Sequence, residues 1–444
     1  MSNRKAYRGE ILHFLDDPSG CVGSKAQDCY QHFDDGVLLI ENGLVAKLGH
    51  YTDLASEIGD DTELVHYQNG LITPGFIDTH VHYPQIEMIA SFGEQLLSWL
   101  ERYTFPSEAQ FSDYNYAKKI AEFFLSELQR NGTTTALVFA TSHPESVEAF
   151  FDTALSRKLR MICGKVLMDR NAPQELLDTP QSGYQQSKAL IEKWHGRGRL
   201  QYAVTPRFAP TSSDAQLATA RRLIKEHPGV YLQTHLSENQ QEIEWVQNLF
   251  PDSENYLDVY DKHQLLGRRS VFAHGVHLHD QECKRLGETG SSIAFCPSSN
   301  LFLGSGLFNL TQAREHGVNV GLGTDVGAGT SLSLLSTMCD AYKTQQLRGD
   351  PLPALSSFYL ATLGGARSLD LENTIGNFSI GCEADFNFLD YQATELSRLR
   401  ISRCNSLEER LFVLSIIGDD RTVGATHIMG ERVNEQKKTV LENL

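Results

Sequence analysis

The stretch Pro74-Gly75-Phe76-Ile77-Asp78-Thr79-His80-Val81-His82-Tyr83-Pro84-Gln85 decides the fold. Its apolar start reads as a buried strand, and it closes on two histidines one residue apart. On a strand, residues i and i+2 face the same side. His80 and His82 can therefore aim two imidazoles at one point. Neutral imidazole is a preferred ligand for zinc. A His-x-His pair alone also describes ordinary core or surface histidines, so the rest of the chain must decide.

Downstream, strand-like and helix-like patterns alternate. Eight strand candidates are Gly75–His82, Thr133–Phe139, Met161–Leu167, Gln201–Thr205, Val230–His235, Ser270–Gly275, Ser291–Cys296 and Asn319–Thr324. Helical patterns separate them. Ala117, Ile120, Ala121, Phe124 and Leu128 share one face, and Asn131-Gly132 ends that helix as a C-cap does. Further helices are expected at Glu145–Lys158, Tyr184–His195, Asp214–Glu226, Gln240–Asn248, Asp280–Glu288 and Leu310–His316. Eight strands alternating with helices are the pattern of a (β/α)8 TIM-type barrel.

That fold places active-site residues at the C-terminal ends of strands. His80 and His82 end the first strand, His235 the fifth, His274 the sixth and Asp325 the eighth. Five metal-competent side chains at these ends, far apart in sequence, point to a metal site in the barrel mouth.

The flanks are β-like. Gly36–Ile40 and Leu44–Gly49 surround Glu41-Asn42-Gly43, and Asn-Gly between apolar runs signals a tight hairpin. Ala384–Leu389 and Ala425–Val433 read as strands again, with Gly430 in a turn. The expectation is a small β-sandwich domain built from both chain ends, residues 1–73 and 376–444, with the catalytic barrel, residues 74–375, inserted between them.

Composition narrows the function. The 444 residues carry 39 basic and 56 acidic side chains, a net charge of −17. That argues against nucleic acid or an anionic membrane as partner. No apolar run approaches a membrane span, and Met1 to Glu10 lacks a signal-peptide core. The eight cysteines are scattered without a Cys-x-x-Cys, which suits a reduced, cytoplasmic protein. The glycines from Gly321 to Gly329 lack both G-x-G-x-x-G and the Walker lysine, so they read as room for backbone near Asp325. The Pro-Cys-x-x-Cys pattern of deaminases that act on flipped bases is absent.

The motifs together resemble the metal-dependent amidohydrolase superfamily and, within it, the guanine deaminase family. The first-strand motif with its Tyr83-Pro84-Gln85 tail and the segment Thr205-Pro206-Arg207-Phe208-Ala209-Pro210-Thr211-Ser212 narrow the choice. Thr234-His235-Leu236-Ser237-Glu238-Asn239, Phe272–His277, Phe295–Asn300 and Gly323–Thr330 match further blocks. The resemblance implies hydrolytic deamination of guanine to xanthine and ammonia. It implies one zinc per subunit, iron being the runner-up, held by His80, His82, His235 and Asp325, with His274 orienting the water. Glu238 would shuttle protons as general acid and base, and Asp325 would take the water's proton. Arg207, which only donates, suits the base's carbonyl, and Gln85, which donates and accepts, suits a ring edge; Phe208 would stack on or wall the base. His82, His235, Glu238 and Asp325 would also face the substrate.

Each residue has a plainer reading. Glu238 could be a carboxylate favoured at the start of the next helix, Arg207 a salt-bridge partner at the rim, and Phe208 part of the core. His277 and His279 read as loop residues. Rival functions are deamination of another amino-heterocycle, such as a pterin or triazine, and a non-catalytic scaffold on the same fold. A homodimer is the default assembly.

Overall fold

The computed structural model describes residues 4–21, 26–59, 62–93 and 95–435. The first three and last nine residues of the expected composite domain lie outside them.

Seven strands from both chain ends form one mixed sheet. They are β1 (Arg4–Phe14), β2 (Tyr30–Glu41), β3 (Leu44–His50) and β4 (Glu63–Pro74) from the front, and three after the barrel. The barrel strands are β5 (Phe76–His82), β6 (Thr133–Phe139), β7 (Arg160–Gly164), β8 (Val166–Leu167), β9 (Gln201–Pro206), β10 (Tyr231–Leu236), β11 (Ser270–His274), β12 (Ser292–Phe295) and β13 (Asn319–Leu322). Then follow β14 (Phe386–Asp390), β15 (Val423–Ile428) and β16 (Glu431–Glu435).

The order in the mixed sheet is β16-β15-β14-β4-β1-β2-β3. Asn42 and Gly43 both take positive φ, so the β2–β3 hairpin closes in the tight turn their chemistry favours. The sheet curls back on itself. Tyr7 on β1 donates to the Gly430 carbonyl in the β15–β16 turn at 2.8 Å, and Lys5 pairs with Glu431 at 2.6 Å. The concave side holds Tyr7, Ile11, Leu38, Ile40, Ile72, Phe386 and Ala425 as one core. The sandwich is thus made by one curled sheet.

The barrel strands run in parallel in the order β5-β6-β7-β9-β10-β11-β12-β13. The expected third strand is interrupted at Lys165, giving β7 and β8, and the eighth stops at Leu322, so Asp325 stands on the loop beyond it. The barrel closes through bonds between its first strand and the loop that follows its last. Asp325 N–H donates to the His80 carbonyl at 2.9 Å and His82 N–H to the Val326 carbonyl at 2.9 Å. Asp78 accepts from Thr324 N–H at 3.0 Å and Thr324 Oγ1 at 2.5 Å. Ile77, Leu137, Ile162, Ala203, Tyr231 and Val271 belong to a buried inner cluster that extends to Ala366 and Leu369. Tyr231 fixes that end by donating to the Leu369 carbonyl at 2.6 Å.

The expected helices form an outer layer. Tyr114–Arg130 buries Ala117, Ile120, Ala121, Phe124 and Leu128 as its spacing requires. Two helices that the pattern did not reveal, Glu395–Ile401 and Leu407–Ile417, lie between β14 and β15. Phe412 of the second meets Tyr342 on Leu334–Arg348, ring centroids 5.0 Å apart. Sequence reading expected eight thiols, but Cys21 and Cys29 are paired, their Cα atoms 6.5 Å apart. The turn Pro18–Gly20 and the bond from Leu15 N–H to the Cys29 carbonyl bring that segment back on itself. The other six cysteines are free.

Candidate active site

At the mouth of the barrel five side chains from four strand ends meet. His82 Nε2 lies 3.2 Å from both His80 Nε2 and His235 Nε2. Asp325 Oδ1 is 3.1 Å from His80 Nε2 and 3.4 Å from His82 Nε2. His274 Nε2 stands 3.8 Å from Asp325 Oδ2. His80, His235, His274 and Asp325 each offer a ligand atom within 4.8 Å of the others. His274, expected beside the metal rather than on it, thus belongs to the same tight group.

The hydrogen-bond partners decide which imidazole atoms are free. The Arg207 carbonyl only accepts, so His235 Nδ1, 2.6 Å away, carries the proton and leaves Nε2 with a lone pair. His274 Nδ1 meets Asn300 Oδ1 at 2.9 Å, and its Nε2 is buried without a hydrogen-bond partner. Burial lowers the affinity of His80, His82 and His235 for protons, most strongly at the last two. Burial alone would raise the Asp325 carboxyl, but His80, His274 and His82 carry it below the ordinary carboxylate range. Neutral imidazoles and an ionised carboxylate converging at such distances suit a divalent cation.

Backbone conformation positions these groups. Ser237, His274 and Asp325 all take positive φ, which is costly for residues with a side chain and recurs at functional sites. The loop after β13 passes so close to itself that a Cβ on Gly329 would lie 1.7 Å from the Thr324 carbonyl oxygen. Phe139, at the end of β6, lies beneath the cluster, its ring centroid 4.5 Å from that of His82.

Glu238 is buried beside this group, 3.4 Å from His274 Nε2, and accepts from Ser305 Oγ at 3.3 Å. Burial, reinforced by Asp325, pushes its carboxyl up to about 8. The helix-start role belongs to Glu242, not Glu238. That carboxylate accepts from Glu238 N–H at 2.9 Å and Asn239 N–H at 3.1 Å and takes Tyr256 OH at 2.7 Å.

Gln85, Arg207 and Phe208 line the same cavity as His82, His235, Glu238, His274 and Asp325. Arg207 is in a salt bridge, as its plainer reading held, but inside the pocket: Nη1 donates to Glu108 Oε2 at 2.7 Å. Gln85 Nε2 donates to Glu108 Oε1 at 3.0 Å. Phe208 forms one wall and packs edge-on against Trp245 behind it, ring centroids 6.3 Å apart. His277 is occupied by the Ser305 carbonyl and Gln240, and His279 precedes the helix Asp280–Thr289.

Sequence reasoning missed the roof. Leu96, Trp99 and Leu100 cover the cavity from one side and Leu303 and Ala328 from another. Glu108 arrives on the same inserted segment, in Phe105–Glu108. No local pattern marked it. Asn300 lay within a recognised block, and its place beside a strand end was the available signal.

The amidohydrolase family model matches residues 71–433. The chain belongs to the amidohydrolase family. Among amidohydrolases it is 51% identical over 435 residues to the guanine deaminase of Escherichia coli, covering 97% of this chain and 98% of that one. The solved E. coli guanine deaminase superposes with a TM-score of 0.94 over 97% of this chain and all of that one. The guanine deaminase of C. acetobutylicum, solved with guanine bound in its active site, is 28% identical with a TM-score of 0.87, covering 97% of this chain and 100% of that one. This amidohydrolase therefore sits with the guanine deaminases.

Proposed function

We propose that this amidohydrolase hydrolyses the exocyclic C–N bond of guanine, releasing xanthine and ammonia. The observation that carries the reading is the convergence of Arg207 and Gln85, which match a carbonyl and a mixed ring edge, beside the His/His/His/Asp cluster and Glu238. The 51% identity to a guanine deaminase supports the same substrate. The intact cluster favours catalysis over a scaffold.

His80, His82, His235 and Asp325 would hold zinc, with His274 at its side. When bound, such an ion brings a water near a pKa of about 7. Arg207 and Gln85 would orient the ring and Phe208 would wall one side. Asp325, ionised, can accept a proton from the attacking water. Burial pushes the Glu238 carboxyl up to about 8, so it can give a proton to the ring nitrogen next to the reacting carbon; the proton that Asp325 takes from the water then passes to the leaving amine, and the water's second proton returns to Glu238 as the new carbonyl forms. The buried roof of Leu96, Trp99 and Leu100 keeps bulk water from the reacting atoms. For compartment and assembly we read the cytoplasm and a homodimer, the first on six of the eight cysteines being free, the Cys21–Cys29 pair weighing the other way, and the second on the prevalence of twofold dimers.

The test is guanine conversion followed by absorbance, with and without a chelator. Turnover that vanishes with chelator and returns with zinc supports the reading. No turnover of guanine by metal-loaded protein, with turnover of a pterin or triazine, would replace the substrate.

A further inference from the structure

We propose that Glu108 is a positioning residue that sets which hydrogen-bonding groups Arg207 and Gln85 turn to the substrate. The inference rests on the reading of those two residues as the base-gripping pair, and adds what orients them.

Glu108 is fully buried, and its two oxygens are divided between the pair: Oε2 takes Arg207 Nη1 at 2.7 Å and Oε1 takes Gln85 Nε2 at 3.0 Å. A carboxylate only accepts. The Gln85 amide must therefore turn its nitrogen toward Glu108, and its Oε1 then takes Gly327 N–H at 3.3 Å. The flipped amide would set oxygen against oxygen and NH2 against N–H, losing both bonds. With the amide fixed, Gln85 keeps one N–H and one Oε1 lone pair for a ligand. Arg207 keeps the donors that Nη1 does not use, its guanidinium carbon 5.5 Å from the Phe105 ring centroid. The donor and acceptor pattern facing the base is thus written by a side chain that does not itself line the cavity.

Glu108 also balances charge. Without it, Arg207 would be a buried cation lacking its partner. Such a cation favours anionic ligands over neutral ones. Guanine is neutral near pH 7, whereas xanthine is the stronger acid of the two. Glu108 therefore tilts the pocket toward substrate and against retained product.

The experiment compares Glu108→Gln, Arg207→Ala, Gln85→Ala and the double variant Glu108→Gln/Arg207→Ala, each loaded with zinc and checked for metal content. Guanine kinetics and inhibition by xanthine are measured. Glu108→Gln is expected to raise the guanine KM about tenfold or more with kcat within about threefold, the mark of lost binding common to ground and transition states. Xanthine inhibition should weaken less than guanine binding, and the double variant should be little worse than Arg207→Ala alone. A loss confined to kcat, or effects that add in full, would overturn the proposal. If Arg207→Ala and Gln85→Ala are both unimpaired, the base-gripping reading fails; if they are impaired and Glu108→Gln is not, only the positioning role fails. Should Glu108→Gln not fold, the exchange Gln85→Glu/Glu108→Gln keeps an acid and an amide in contact. It should recover stability without recovering the guanine KM, and full recovery of KM would overturn the proposal.

Discussion

Burial and Asp325 disfavour the ionised form of Glu238. Replacing it with Gln keeps the shape and an acceptor for Ser305 but removes the capacity to give up a proton. Glu238→Gln is expected to bind metal and guanine normally and to lose about 10²–10⁴-fold or more in kcat. Metal analysis, calorimetry with guanine and turnover check the three parts, and lost metal would make Glu238 a ligand or a support. Glu238 was legible because it follows a strand-end histidine at fixed spacing. His235 was legible for the same reason, but its tautomer was not. That depends on the Arg207 carbonyl, a contact between neighbouring strands that no local pattern records. Glu108 was illegible for a related reason: its partners lie at the ends of two strands, and its own segment has no period to place it.

At the level of elements, the eight barrel strands were readable because each is a short apolar run bounded by a helical pattern. The roof was not. Leu96–Trp99, Leu100–Thr104, Phe105–Glu108 and Ala109–Ser112 are single turns of differing type, too short for a 3.6-residue repeat to declare itself. Barrel closure was equally hidden, since it rests on backbone bonds from β5 to the loop after β13 and on the Asp78 side chain. Asp78 joins β5 to the loop after β13 through Thr324 and also accepts from His80 N–H at 3.2 Å. Burial pushes its carboxyl up to about 6, even with those donors opposing the rise. Asp78→Ala would leave three buried donors unpaired, each at a cost of about 1–3 kcal/mol. The expected outcome is a Tm lowered by several degrees together with weaker metal retention, because His80 and Asp325 sit on the two segments it joins. Calorimetry and metal titration check this; unchanged values in both would show that the backbone bonds between β5 and that loop close the barrel alone.

For the whole molecule, the curled sheet carries part of the response to acid. His13 accepts from Phe378 N–H at 3.2 Å through Nδ1 while Nε2 meets Gln31 Oε1 at 2.9 Å, an arrangement that requires the neutral ring. Burial lowers its pKa to about 4. Burial, with Arg432 and Lys5 adding to it, lowers that of His427 to about 3. Both lie below the unfolded value of about 6.5. Between the two limits the unfolded chain binds more protons, so this stability is full above about pH 6.5 and declines as pH falls toward the folded values. At pH 5 each ring should cost on the order of 2 kcal/mol. Denaturant midpoints at pH 7.5 and pH 5 should differ less in His427→Leu than in the parent, and an equal difference would remove His427 from the acid response. Both chain ends were readable as β, from Asn42-Gly43 and the late apolar runs. Their single curled sheet was not, because pairing such as Phe386 with Pro74 spans the whole barrel. That pairing sets an order in time. As the chain leaves the ribosome, β1 to β4 emerge first, and the outer edge of β4 has no partner until β14 has been made. The barrel, complete in sequence earlier, can close while that edge still waits, so a ribosome that stalls between the barrel and β14 leaves a sticky strand on an otherwise finished body.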